Sequence, residues 1–109
     1  MSLSIDDFKK IEMKVAKIVA VEDIPAARKP MYRITVELGE GVTRQCVAGI
    51  KDHYSRDDLM GKVVVAVMNL APKSVAGVVS ECMLLAAFND TELSLLTPER
   101  EVSLGATVG

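Results

Sequence analysis

The stretch Met31–Ala48, MYRITVELGEGVTRQCVA, decides what kind of fold this chain can adopt. Tyr32, Ile34, Val36 and Leu38 alternate with Met31, Arg33, Thr35 and Glu37, the two-residue period of a strand with one face in a core and the other in water. Gly39-Glu40-Gly41 follows as a turn, and Thr43–Ala48 reads as the returning strand. The segment therefore predicts a β-hairpin with a slightly long loop.

The same test extends outward in both directions. Met13–Val21 is rich in β-branched residues, but Lys14 and Lys17 have opposite parity, so a bulged or coiled strand is expected. Ahead of it, Ser4, Asp6 and Asp7, then Lys9 and Lys10, mark a short N-capped helix whose charges oppose its dipole, with Ile5 and Phe8 on one face. Ser55, Asp57 and Asp58 before Leu59-Met60, closed by Gly61, mark a second helix of one or two turns. Lys62–Leu70 and Cys82–Phe88 are apolar on both parities, as strands buried on both faces would be, and Leu93–Leu96 reads as a further strand. Five or six short strands with one small helix between the third and fourth predict an all-β fold: a Greek-key five-stranded barrel of the OB type, with a short N-terminal helix and a C-terminal extension. A small β-sandwich is the competing architecture.

Composition bounds the rest. Of 109 residues, 50% are hydrophobic, enough for one self-sufficient core, so residues 1–109 are expected to form a single domain. Cys46 and Cys82 form no CxxC pair and stand beside no histidine cluster, so they read as buried thiols of a reducing, cytoplasmic compartment, with no metal site expected. No apolar run reaches the length of a membrane span. Thirteen basic against fifteen acidic residues leave a net charge of −2, so any nucleic-acid binding must rest on local charge.

Catalytic machinery is missing from the pattern. His53 is the lone histidine, neither cysteine has a neighbour that would activate it, and Gly39-Glu40-Gly41 does not continue into the helix that a phosphate or dinucleotide loop requires. No enzyme and no cofactor are expected. A binding module on such a barrel combines a basic groove with groups that stack on or hydrogen-bond a base. The candidate cations are Lys14, Lys17, Arg28, Lys29, Arg33, Arg44, Lys51 and Lys73. Aromatic platforms are scarce: Phe8 and Phe88 read as core or interface, leaving Tyr32 and Tyr54.

One ordered series goes further. Asn69-Leu70-x-Pro72-Lys73, Gly77-x-x-Ser80 and Met83-Leu84-Leu85-Ala86 resemble the signature of the tRNA-binding domain family, which includes appended domains of methionyl-tRNA synthetases, stand-alone tRNA-binding dimers and CsaA-type proteins associated with preprotein export. Val15-x-Lys17-Ile18, Arg44-Gln45 before Ala48-Gly49-Ile50, Tyr54 through Leu59-x-Gly61-Lys62, and Leu95-Leu96-x-Pro98 before Gly105 extend the resemblance over nearly the whole chain. Ile24–Tyr32, with Arg28 and Pro30, resembles the CsaA type, as does Val75-Ala76-Gly77-x-x-Ser80-Glu81. Gly49 and Met83 look like the synthetase and stand-alone branch, while Cys82 departs from the glycine usual there.

The resemblance implies a non-catalytic accessory factor that recognises folded tRNA by shape. It places Asn69, Ser80 and Met83 on the RNA-facing side, with Arg28, Lys29, Arg33, Arg44 and Lys73 as neighbouring cations. The alternative it carries is a CsaA-like chaperone that binds preprotein or peptide segments in the same grooves; an aminoacyl-tRNA synthetase is a further expected partner. It also implies a symmetric homodimer, for which Ile5, Phe8, Val102, Leu104 and Val108 lie outside the expected barrel and need cover; the alternative is that both chain ends pack back on their own barrel.

Overall fold

The computed structural model describes residues 1–109. Strands β1 (Met13–Asp23), β2 (Tyr32–Glu37) and β3 (Thr43–Ala48) form an antiparallel meander, and β4 (Val63–Val67) returns to the other edge of β1. Three pairs of short strands follow: a β5 (Lys73–Val75)–β6 (Val78–Ser80) hairpin, β7 (Met83–Leu84) on β4, and β8 (Ala86–Phe88) against β9 (Leu93–Leu95). β10 (Thr107–Val108) runs beside the start of β1. With the segment through β6 and β7 lying along β3, the chain is a nearly closed five-stranded barrel of the expected OB type.

β1 is bulged as expected, but not between Lys14 and Lys17, where its pairing with β4 is regular and the parity conflict is resolved by Lys14 sitting at the end of an inner row. Its register against β2 shifts between Ile18 and Ala20, which moves Val21 into the interior alongside Ala16 and Ile18. Inner rows Ala16–Ile18, Tyr32–Ile34–Val36 and Val64 meet Cys46, Cys82 and Leu95 in the core. Both helices are capped as expected: Ser4 Oγ accepts from Asp7 N–H over α1 (Ile5–Lys9), and Ser55 and Asp58 bond reciprocally over α2 (Arg56–Leu59). From that single turn Leu59 drops into the barrel fully buried and plugs one end.

Two expectations fail for identifiable reasons. Cys82–Phe88 is not one strand buried on both faces. It breaks at Leu85, whose N–H reaches Val65 O at 2.9 Å and whose O accepts from Leu96 N–H at 3.0 Å, so β7 and β8 join different sheets and leave Met83 47% and Phe88 76% exposed. Nor do Leu104 and Val108 wait for outside cover. The C-terminal extension packs on its own barrel: β10 pairs with Met13 and Lys14, Val108 joins the outer cluster of Met13, Val65 and Val67, and Gly105 N–H donates to Val15 O at 2.7 Å. Apolarity identified these segments as needing burial but not the surface that supplies it.

The β5–β6 hairpin went unpredicted because its turn lacks an ordinary signal. Val75 pairs directly with Val78, so Ala76 and Gly77 are the whole loop, with φ of 50° and 83°. A two-residue turn of this hand favours Asn-Gly, and alanine in the left-handed region carries steric strain. Ala76→Gly is expected to raise stability by up to about 1 kcal/mol, and Gly105→Ala to lower it, since a Cβ at Gly105 would meet Leu38 O at 2.5 Å. Urea unfolding of both variants checks the pair of opposite signs.

Candidate nucleic-acid interface

One group of basic side chains lies where two loops meet. The β1–β2 loop carries Arg28 and Lys29, and it approaches the β5–β6 hairpin at Val75 and Ala76 around an open cavity of about 390 Å3. Lys73, exposed on β5 opposite Ser80, belongs to the same hairpin. Oligonucleotide-binding barrels use this pair of loops because both project past the sheet, where a polyanion can lie between them. Of the expected cations, Arg28 and Lys29 line this cavity, and Lys73 stands at the base of the hairpin that forms its other wall.

Others are placed differently. Arg33 points outward from β2, with Glu22 Oε1 3.9 Å from its Nε. Lys51 is engaged by Asp23 at 2.8 Å and lies over the Tyr32 ring. Hydrogen bonding to Lys51 lowers the Asp23 pKa, and the same bond raises that of Lys51. Lys14 and Arg44 sit on inner rows at the end of the barrel opposite Leu59, apart from the two loops. The tyrosines supply no stacking platform, for Tyr32 is buried with its hydroxyl donating to Tyr54 O, and Tyr54 Oη accepts from Leu95 N–H.

The three signature residues divide by task. Asn69 Oδ1 accepts from Glu12 N–H at 2.8 Å and its Nδ2 donates to Lys10 O at 2.6 Å, so this side chain clamps the N-terminal segment to the end of β4. Ser80 Oγ accepts from Val47 N–H at 3.1 Å and donates to Cys82 O at 3.3 Å. Its one proton is committed, so toward any ligand Ser80 can only accept, whereas Asn69 keeps one N–H and one lone pair. Met83 is the exposed member. It borders an apolar groove of about 380 Å3 between Val47–Ile50 and Met83–Phe88.

Beside Ser80, two residues that the sequence reading did not single out as site members complete the seam. Glu81 Oε1 accepts from Gln45 N–H at 3.0 Å, Glu81 N–H donates to Gln45 O at 2.9 Å, and Gln45 Nε2 reaches Val79 O at 2.9 Å. The seam also juxtaposes Cys46 and Cys82, far apart in sequence. Cys82 Sγ donates to Gln45 O at 3.8 Å, and the neighbouring Cys82 thiol together with burial pushes the Cys46 thiol up.

The comparisons agree with this architecture. The family described as "Putative tRNA binding domain" matches residues 13–107. Over 106 residues the chain is 45% identical to a methionine–tRNA ligase of Methanococcus aeolicus, covering 97% of this chain but 15% of that enzyme's length. A CsaA chaperone protein from Picrophilus torridus superposes with a TM-score of 0.91 at 31% identity, over 99% of this chain and 100% of that one. A MetRS-related protein from Pyrococcus horikoshii does so at 0.89 and 34%, over 100% of both chains. An OB barrel with this signature, matched over nearly its whole length, defines a class: the chain belongs to the tRNA-binding domain family.

Two measurements probe the seam. Ser80→Ala leaves the Val47 N–H without its acceptor and is expected to cost about 1–3 kcal/mol, read by denaturant unfolding. Cys46 and Cys82 are both buried, so iodoacetamide is expected to leave them unmodified in the folded protein and to alkylate both once urea unfolds it; rapid alkylation of either thiol in the native state would contradict the closed seam.

Proposed function

We propose that this protein binds folded tRNA as a non-catalytic accessory module, with Arg28, Lys29 and Lys73 contacting phosphates and Met83 packing on a sugar or base edge. Convergence of the cation-bearing β1–β2 loop on the β5–β6 hairpin carries this reading. Asn69 and Ser80 act on RNA mainly by holding the barrel's shape, with Asn69's spare N–H available for a direct contact. Arg33 contributes a flanking charge and Arg44 one at the exposed mouth of the barrel. A net charge of −2 means that long-range attraction is weak, so affinity is local and salt-sensitive. A methionyl-tRNA synthetase is the partner that the matched enzymes favour, and the paired free thiols fit a reducing cytoplasm.

Gel-shift titration of tRNA at several salt concentrations tests the proposal. Log affinity should fall with log salt, and each of Arg28→Ala, Lys29→Ala and Lys73→Ala should reduce the magnitude of the slope by up to about 0.7–0.9, according to whether its phosphate lies in a single-stranded or helical segment. Absence of tRNA binding at low salt overturns it. The apolar groove beside Met83 and Phe88 favours a second reading, capture of extended preprotein or peptide segments as in a chaperone. Titration of an unfolded polypeptide in place of tRNA separates the two.

A homodimer belongs to the same proposal. Ile5 (65%), Phe8 (38%) and Val102 (44%) remain exposed, and α1 is a five-residue helix with no buried side chain. Such a helix is marginal in water without a partner surface. Full-length protein is expected to sediment as a dimer at micromolar concentration, and removal of the first ten residues to weaken it; a full-length monomer at high concentration excludes the assembly.

A further inference from the structure

The barrel is plugged at one end by Leu59 and open at the other, and the open end carries charge where the inner rows should be apolar. Reading those rows toward the opening, β1 runs Ile18–Ala16–Lys14, β2 continues past Val36 to Leu38, β3 runs Cys46–Arg44, and β4 continues past Ala66 to Met68. Two of the four rows end in a cation. The C-terminal segment completes the rim, Leu104 and Gly105 lying against Leu38 and Gly39. The result is a cavity of about 420 Å3 that includes Glu12 and Glu40, within the size range of pockets for small ligands.

Neither cation is spent on a carboxylate. None of the protein's ion pairs involves Lys14 or Arg44. Lys14 Nζ donates to Thr107 Oγ1 at 3.0 Å, and one Arg44 Nη donates to Thr43 O at 2.8 Å. Two N–H groups of Lys14 and four of Arg44 are left over. Asn69 builds the facing wall, since its clamp on Lys10 O and Glu12 N–H holds the backbone of Glu12 at the opening.

We propose that the barrel mouth is a one-nucleotide pocket for an unstacked ribonucleotide of the bound RNA, selective for bases bearing an exocyclic amine. The phosphate takes the spare donors of Lys14 and Arg44, as a charge-assisted site for an anion. The base lies against the apolar side chains of Leu38, Met68 and Leu104. Glu12 or Glu40 accepts from the amine of adenine, cytosine or guanine, a partner that uracil lacks. Unpaired nucleotides are where proteins read RNA bases, because their edges are free. This pocket rests on the tRNA reading but is separate from the Arg28–Lys29–Lys73 loops that carry it.

Titration of AMP, CMP and UMP, monitored by amide shifts of the intact protein, tests the pocket. AMP and CMP are expected to shift Leu38, Val42, Met68 and Leu104 saturably, with UMP at least fivefold weaker. Lys14→Met with Arg44→Met should abolish the shifts, and Glu12→Gln with Glu40→Gln should bring the three nucleotides together. Should the double methionine variant fail to fold, Val42→Trp, which fills the mouth and keeps both cations, is expected to block the same shifts. Equal response to all three nucleotides in the unmodified protein overturns the base selectivity. Retained tRNA binding with no nucleotide shift at the mouth overturns the pocket alone, and loss of both tRNA and nucleotide binding overturns the tRNA reading with it.

Discussion

A strand edge cannot be left bare inside a nearly closed barrel, because buried N–H and C=O groups without partners each cost about as much as a lost hydrogen bond. The free edge of β3 meets that constraint with side chains as well as backbone. Ser80 Oγ and Glu81 Oε1 accept the Val47 and Gln45 amides, while Glu81 N–H returns a bond to Gln45 O. These contacts pin the chain leaving β6 along β3. They thereby fix the β5–β6 hairpin that holds Lys73, the Cys46–Cys82 contact and the course of β7 that leaves Met83 exposed. A polar pair in an apolar stretch is thus a structural requirement before it is a ligand contact.

Closing the barrel also gives it two unlike ends. Burial of Leu59 beneath a capped helical turn seals one end with side-chain volume. At the other, the inner rows finish in Lys14 and Arg44, and the C-terminal segment adds a wall rather than a plug. An apolar interior repels charge, so cations on inner rows are tolerated only where water reaches them. That requirement leaves a cavity between two unpaired cations and two carboxylates, apart from the basic loops at the side of the barrel.

The signature residues therefore serve the architecture and still keep some capacity for outside contacts. Asn69 satisfies Lys10 and Glu12 and keeps half its hydrogen-bonding capacity, while Met83 gives β7 its pairing through the backbone and its side chain to the surface. Family membership explains why such residues occur together in order along the chain. Local geometry explains what each can still do once the fold has used it: Ser80 accepts, Asn69 donates and accepts, and Met83 offers an adaptable apolar contact.

The amino-acid sequence by itself determined whatever depends on neighbours along the chain. The alternation in Tyr32–Leu38 and the Ser4 and Ser55 caps each reported a local backbone state, and each stands in the structure, whereas the bulge inferred from Lys14 and Lys17 lies further along, between Ile18 and Ala20. The ordered signature likewise identified the family, while the candidate cations were legible only as a scattered set. Only the tertiary structure decided which partners distant residues would meet. The break at Leu85, the packing of Leu104 and Val108 on their own barrel, the contact of Cys46 with Cys82 and the charged mouth all arise between segments well separated along the chain. The β5–β6 turn escaped because Ala76 adopts a backbone state that its own chemistry disfavours, imposed by the pairing of Val75 with Val78. Periodicity and capping are short-range physics, whereas barrel closure is settled by which edges and apolar faces remain unsatisfied once every strand is in place.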